Sequence, residues 1–176
     1  MILADTSAWV EYDRATGSTV DLRLTELIAA DGPVAVTEPV IMEVLAGARS
    51  DAREADLRRL LLRFHLCQFD AAADFEGAAR IYRRCRQAGI TPGGLVDCLI
   101  AAVAQRHEAA LLACDAGLDR VARVAGIELD HSAGPERGAP RQGDPAALRC
   151  RELAPTGGLG HDDNGHRAGA GHRARP

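Results

Sequence analysis

The chain has 176 residues, 47% of them hydrophobic, enough to build one globular domain with a core but short for two. Its formal charge of −4 divides into −6 over residues 1–130 and +2 over residues 131–176, so a polyanionic partner would have to be met locally. All 21 basic residues are arginine, which excludes any mechanism that needs a lysine amine, and no apolar run approaches the roughly 20 residues of a membrane span.

In chain order, "MILAD" reads as a short buried strand and the run after Asp5 as a helix. "TVDLRLTELIAAD" is amphipathic at helical spacing, "PVAVT" is a second strand, and "EPVIMEVLAGA" and "DAREADLRRLLLRF" are helices, with Pro39 suited to a first turn. "HLCQF" reads as a third buried strand. "DAAADFEGAARIYRRCRQAG" follows as a helix capped by Asp70 and stopped at Gly89. "GLVDCLIAAVAQRHEA", the strand "ALLACD", the helix "GLDRVARVAG" and the short "IEL" complete the body. Strand–helix alternation of this kind predicts an α/β fold with a central, mostly parallel sheet and helices on both faces.

From residue 131 the composition changes. The segment 131–176 holds nine of the 18 glycines, five of the eight prolines and four of the six histidines, with few apolar residues to bury. Such a stretch cannot offset its ordering entropy, so a folded domain over 1–130 and a disordered tail over 131–176 are expected. Its "GHDDNGHRAGAGH" lacks the packed support that a selective metal site needs. Cys67, Cys85, Cys98, Cys114 and Cys150 are odd in number and scattered without a CxxC, which predicts that most are small buried core residues rather than disulfide partners or a thiolate zinc site. The N-terminus has no basic n-region, and a soluble, cytoplasmic protein is expected.

Four carboxylates occupy unusual places. Asp5 ends the first strand and Asp115 follows "ALLAC", so both belong at the carboxyl edge of the sheet, where sites form in such folds. Each is also a natural helix N-cap. Glu43 has Pro39, Val40, Ala46 and Gly47 as its helical neighbours, and Asp97 has Gly93, Gly94, Ile100 and Ala101. Neither finds a cation along its own helix. An inward-facing acid needs a proton, a basic partner or a metal. Two readings follow: two caps plus two acids paired with arginines, or four acids converging on a hard divalent cation such as Mg²⁺ or Mn²⁺.

The segments "MILADTSAWVEY", "EPVIMEVLAGA" and "VDCLIAAVAQRHEAALLACDAGLDRVARVAGIEL" together resemble the PIN-domain ribonucleases, specifically the VapC-type toxins of bacterial toxin–antitoxin modules. The resemblance spans residues 1–130. It implies a three-layer α/β/α PIN-like domain and makes Asp5, Glu43, Asp97 and Asp115 the metal-binding quartet, with Thr6 or Ser7 as the hydroxyl supporting the first acid. It further implies metal-dependent hydrolysis of RNA, such as tRNA, to 5′-phosphate and 3′-hydroxyl ends, a homodimer, and inhibition by a cognate VapB-type antitoxin. That antitoxin would lie along the apolar stripes near Trp9, Tyr12, "DLRLTELIAA" and "DLRRLLLRF". The chain departs from the family at Cys114, where a hydroxyl is frequent, and at Gly117, where many members carry another acid.

Arg80, Arg83, Arg84 and Arg86 form a basic stretch that could meet RNA, or a solvated helix face with ordinary ion pairs. His65 and His107 lack a Ser or Cys partner and are expected at the surface or a strand edge. A haloacid-dehalogenase-type phosphatase would need an acid where Ser7 stands, and it and a receiver domain both need a lysine. The alternative from another class is a PIN-like antitoxin-binding module without turnover.

Overall fold

A computed structural model describes residues 1–130; the tail expected over 131–176 lies outside the described residues. The chain runs β1 (Ile2–Ala4), α1 (Thr6–Arg14), α2 (Thr19–Ala29), β2 (Val34–Val36), α3 (Glu38–Ala46), α4 (Asp51–Leu61), β3 (His65–Leu66), α5 (Ala71–Gln87), α6 (Leu95–Arg106), β4 (Ala110–Leu112) and α7 (Ala116–Ala125). All strand pairings are parallel, in the order β3-β2-β1-β4, and a parallel bridge from Leu111 to Leu129 continues the sheet beyond β4. Helices flank this sheet, as the alternation predicts. They pack in two sets, α1 with α2 and α3 and α3 with α4, then α5, α6 and α7 against one another, and α3 meets α6.

The local signals hold. Pro39 lies in the first turn of α3, Asp70 caps α5 by accepting from the Ala73 amide, and Gly89 takes a left-handed conformation just past α5, with φ of +74°. α7 ends likewise on Gly126. β1, β2 and β4 are only three residues each, but Leu3, Ala4, Val34, Ala35, Val36, Leu111 and Leu112 are buried from both sides, which is why their sequences are continuous rather than alternating.

One expectation needs correction. "HLCQF" is not a buried strand: only His65 and Leu66 pair, at the sheet edge, and both are exposed, while Cys67 turns into the core. An edge strand has one face of neighbours and needs less apolar surface. Cys67, Cys85 and Cys98 are buried as expected, and burial pushes the Cys98 thiol up to about 11, but Cys114 is exposed. It sits past the end of β4, outside the packed layer.

A buried carboxylate on α5 is paired with an arginine on α6. Asp74 on α5 is 1% exposed and accepts from Arg106 Nε at 2.9 Å and Nη2 at 2.8 Å, while Arg106 also donates to the Gln68 carbonyl. Burial pushes the Asp74 carboxyl up, but the two bonds from Arg106 and the Asp70 amide outweigh it and hold it below its ordinary value. Its stabilisation is therefore present above the usual carboxylate range and is lost as pH falls through the lowered folded value. Arg106→Ala strands a buried carboxylate and should destabilise the protein by about 3 kcal/mol in urea unfolding at pH 7. The gap to wild type should narrow below about pH 4, where the carboxylate is protonated in the variant and progressively in the wild type.

Candidate active site

The strand order explains why the carboxyl edge between β1 and β4 is a crevice. The chain leaves β1 toward β2 and β3 on one side, then crosses back to place β4 on the other side of β1. Connections that depart in opposite directions leave open space above the two strands, the place where α/β sheets build their sites. Ile2, Leu3 and Ala4 lie in register with Ala110, Leu111 and Leu112, so Asp5 and the segment from Ala113 to Asp115 emerge together.

Asp5 is buried and caps α1. Its Oδ2 accepts from the Ser7 amide at 2.9 Å and the Ser7 hydroxyl at 2.6 Å, and the Ser7 oxygen in turn accepts from the Cys114 amide at 2.9 Å. The Asp5 amide donates to the Leu112 carbonyl at 2.9 Å, so the ends of β1 and β4 are joined twice. Thr6 does something different: its hydroxyl donates to Glu43 Oε2 at 2.6 Å and ties α1 to α3. The two hydroxyls thus divide between two acids. The sequence offered either as the support of Asp5, and the structure assigns that role to Ser7.

Asp97 is half-buried in the first turn of α6, where its Oδ2 accepts from the Gly94 amide at 3.0 Å. Gly93 crowds the same oxygen, since a Cβ there would lie 3.0 Å from it. Asp115 is exposed and caps α7, its Oδ1 accepting from the amides of Gly117 and Leu118. Gly117 is required locally, because a Cβ would stand 2.8 Å from that oxygen. The cap reading of Asp5 and Asp115 is correct, and Asp97 caps its own helix as well. The arginine-pairing reading of Glu43 and Asp97 is not: no ion pair among the described residues reaches any of the four acids.

Electrostatics links the acids into a chain. Burial pushes the Asp5 carboxyl up, the Ser7 bonds pull it down, and Glu43 raises it further. Burial also raises Asp97, opposed by the Gly94 amide and reinforced by Asp115 and Asp5. Repulsion therefore runs from Glu43 to Asp5 to Asp97 to Asp115, and no ion pair among the described residues relieves it. The named side-chain bonds hold one oxygen of each carboxylate, Oδ2 of Asp5, Oε2 of Glu43, Oδ2 of Asp97 and Oδ1 of Asp115. Among the described residues no three His, Cys, Asp or Glu side chains are gathered closely enough to hold one ion. The donor set is nonetheless all carboxylate, and it suits a hard divalent cation in kind.

Other candidates fall outside this cluster. Arg80 pairs with Glu76, Arg84 donates to the Val124 carbonyl and Arg86 to Thr91, as on an ordinary solvated helix face; Arg80 and Arg83 also line an open groove of about 470 Å³ with Tyr82 and Leu95. His65 is on the edge strand, and the His107 ring meets the Gln68 carbonyl. Trp9 is buried against both Tyr12 and Phe64, and Tyr12 is buried too, so much of the apolar stripe near α1 serves the core; Leu22 and Leu62 remain exposed. Glu11, which sequence reasoning did not place at the crevice, and Asp119, near but shifted from the position where many family members carry a further acid, lie near enough to raise the Cys114 thiol after burial does so. Glu11 stands one turn after Ser7 on α1, a spacing that was visible in the sequence.

Caps and site can be separated by substitution. Asp115→Ala should cost about 1 kcal/mol of stability through loss of the α7 cap, whereas Asp115→Asn should retain most of it, as read by thermal unfolding. Asp5→Asn removes a buried charge while keeping an acceptor for Ser7. A carboxyl raised in the folded state weakens folding as pH climbs from its unfolded value through its folded one. In EDTA at pH 7 the Asp5→Asn variant should therefore melt about 2–4 °C higher than wild type, the equivalent of ~1 kcal/mol in a domain of this size, and the difference should fade below about pH 4.

A sequence model of the PIN domain matches residues 2–124. Over 129 residues, 73% of this chain and 96% of each relative, the sequence is 44% identical to VapC ribonuclease Mb1587 of Mycobacterium bovis and to ribonuclease VapC11 of Mycobacterium tuberculosis. Among solved structures, VapBC2 of Rickettsia felis, bound to a DNA fragment from its promoter, aligns with a TM-score of 0.59 at 21% identity over 74% of this chain and 98% of that one. The sarcin–ricin-loop-cleaving toxin VapC20 of M. tuberculosis aligns at 0.52 and 22% identity, covering 68% and 93%. These structural likenesses support the fold, and together with the family match and the identity to the VapC ribonucleases they show that the chain belongs to the PIN domain family.

Proposed function

We propose that the protein is an endoribonuclease toxin of a toxin–antitoxin module that hydrolyses RNA phosphodiester bonds with Mg²⁺ or Mn²⁺ at Asp5, Glu43, Asp97 and Asp115. The observation that carries this reading is the repulsive chain of four carboxylates at the β1–β4 crevice, reached by no ion pair among the described residues, in a chain 44% identical to VapC ribonucleases. Four mutually repelling acids along one crevice, with no ion pair to them among the described residues, make chemical sense as ligands for an external cation.

When bound, a divalent cation supplies Lewis-acid stabilisation of phosphoryl charge and a water nucleophile near neutral pH. The protein's part is placement. Ser7 holds Asp5 against the end of β4, Thr6 orients Glu43, and the Gly94 amide fixes Asp97. A carboxylate so held loses little freedom on binding a ligand. No lysine is available as an acid or base, and no covalent intermediate is needed. The partners in this reading are an RNA such as tRNA, a VapB-type antitoxin and a second copy of the chain. VapBC2 among the similar structures supports the antitoxin. Nothing in the fold or the relatives favours the alternative of a module without turnover.

Purified protein incubated with total tRNA should give defined cleavage with Mg²⁺ or Mn²⁺ and none with EDTA. Asp5→Asn and Asp97→Asn should each lower the rate at least about a hundred-fold. Equal cleavage by these variants, or cleavage in EDTA, would refute the assignment.

A further inference from the structure

The proposed substrate is a polyanion, while the body of this protein carries −6 and its crevice is acidic. A phosphate held beside those acids needs a cation that is close to them and free of other bonds. Several arginines fail that condition: Arg106 is committed to Asp74, Arg23 to Asp130, and Arg84 and Arg86 to groups elsewhere on the helical face. Arg120 on α7 meets it.

α7 starts at the carboxyl edge of the sheet, because Asp115, the residue that caps it, follows the end of β4. Side chains on a helix lean toward its N-terminus and cover the turn before their own, so Arg120 reaches back over Gly117, three positions earlier. The distances agree: a Cβ on Gly117 would stand 4.0 Å from Arg120 Nη2 and 2.8 Å from Asp115 Oδ1. Guanidinium and carboxylate thus flank the bare face of one glycine. They do not join in an ion pair, and among the described residues no hydrogen bond or ion pair engages the exposed Arg120 side chain.

Local helix energetics does not account for an arginine here. The residues three and four positions away are Ala116, Gly117, Arg123 and Val124, so no acid stabilises it at helical spacing. Its charge also lies toward the N-terminal end of α7, where the macrodipole disfavours a cation.

We propose that Arg120 binds a phosphate of the RNA substrate at the mouth of the crevice, next to Asp115. This rests on the ribonuclease reading for the identity of the polyanion. A guanidinium presents two parallel N–H donors to one phosphate, so it positions the strand as well as attracting it. Asp115 is the competing occupant of the guanidinium. An exposed pair of that kind is worth at most about 1 kcal/mol, and a divalent cation on the acids removes even that attraction, which favours the RNA.

The test uses the full chain in an Asp97→Asn background, so that binding is read without cleavage, with fluorescein-labelled tRNA followed by anisotropy from about 50 to 200 mM salt. Arg120→Gln should weaken binding about three- to ten-fold at about 100 mM salt and make the salt slope shallower by about 0.7–0.9, the equivalent of one phosphate contact. Arg58→Gln removes the same charge from α4, where Arg58 pairs with Glu54 on the helix that leads into the opposite edge strand, and should leave the slope unchanged. Arg120→Lys should restore the slope but not the full affinity, since an ammonium keeps the charge and loses the paired donors. With Asp97 intact, Arg120→Gln should lower kcat/KM about ten-fold. Unchanged affinity and slope in Arg120→Gln, or a loss matched by Arg58→Gln, would overturn the proposal. So would tighter Mn²⁺ binding by Arg120→Gln with unaltered tRNA affinity, because the guanidinium would then be serving the acids instead. Cleavage of tRNA by the unaltered protein is scored separately, so a failed nuclease and a failed phosphate contact give different results.

Discussion

Everything at the crevice depends on the pairing of β1 with β4, two short strands more than a hundred residues apart. Their register places Asp5 beside the segment leading to Asp115, and the Ser7 hydroxyl locks the arrangement by donating to the Asp5 carboxylate while accepting from the Cys114 amide. A parallel pair with so few ladder bonds gains from such a tie. The same hydroxyl therefore serves the sheet and the site, and the first acid of the site is also the N-cap of α1.

The charges are sorted with a similar logic. Away from the crevice two carboxylates meet arginines: Arg106 binds Asp74 through two nitrogens, and Arg23 binds Asp130 in the same way. At the crevice no ion pair among the described residues reaches the acids, and Asp5 and Asp97 are pushed up by burial and by neighbouring acids. Local order comes instead from neutral donors, the Ser7 and Thr6 hydroxyls and the amides of Gly94, Gly117 and Leu118. Neutral donors orient a carboxylate without cancelling its charge, which is what a cation site needs. Gly117 also acquires a reason here: in place of another acid, it admits the close approach of the Asp115 oxygen to its own helix end.

The sequence by itself determined the alternation of strands and helices, the caps at Asp70, Pro39 and Gly89, and the isolation of Glu43 and Asp97 from any cation on their own helices. These are local properties, set by backbone geometry and by residues three or four positions apart, so one chain without relatives displays them. Only the tertiary structure decided that "HLCQF" is an exposed edge, that Cys114 stands outside the core, that Ser7 serves Asp5 while Thr6 serves Glu43, and that the last strand-like residues point the chain toward the acidic edge. Each of these depends on contacts between distant segments. Exposure at an edge and the choice between two adjacent hydroxyls follow from which element packs opposite, and local periodicity does not encode that choice.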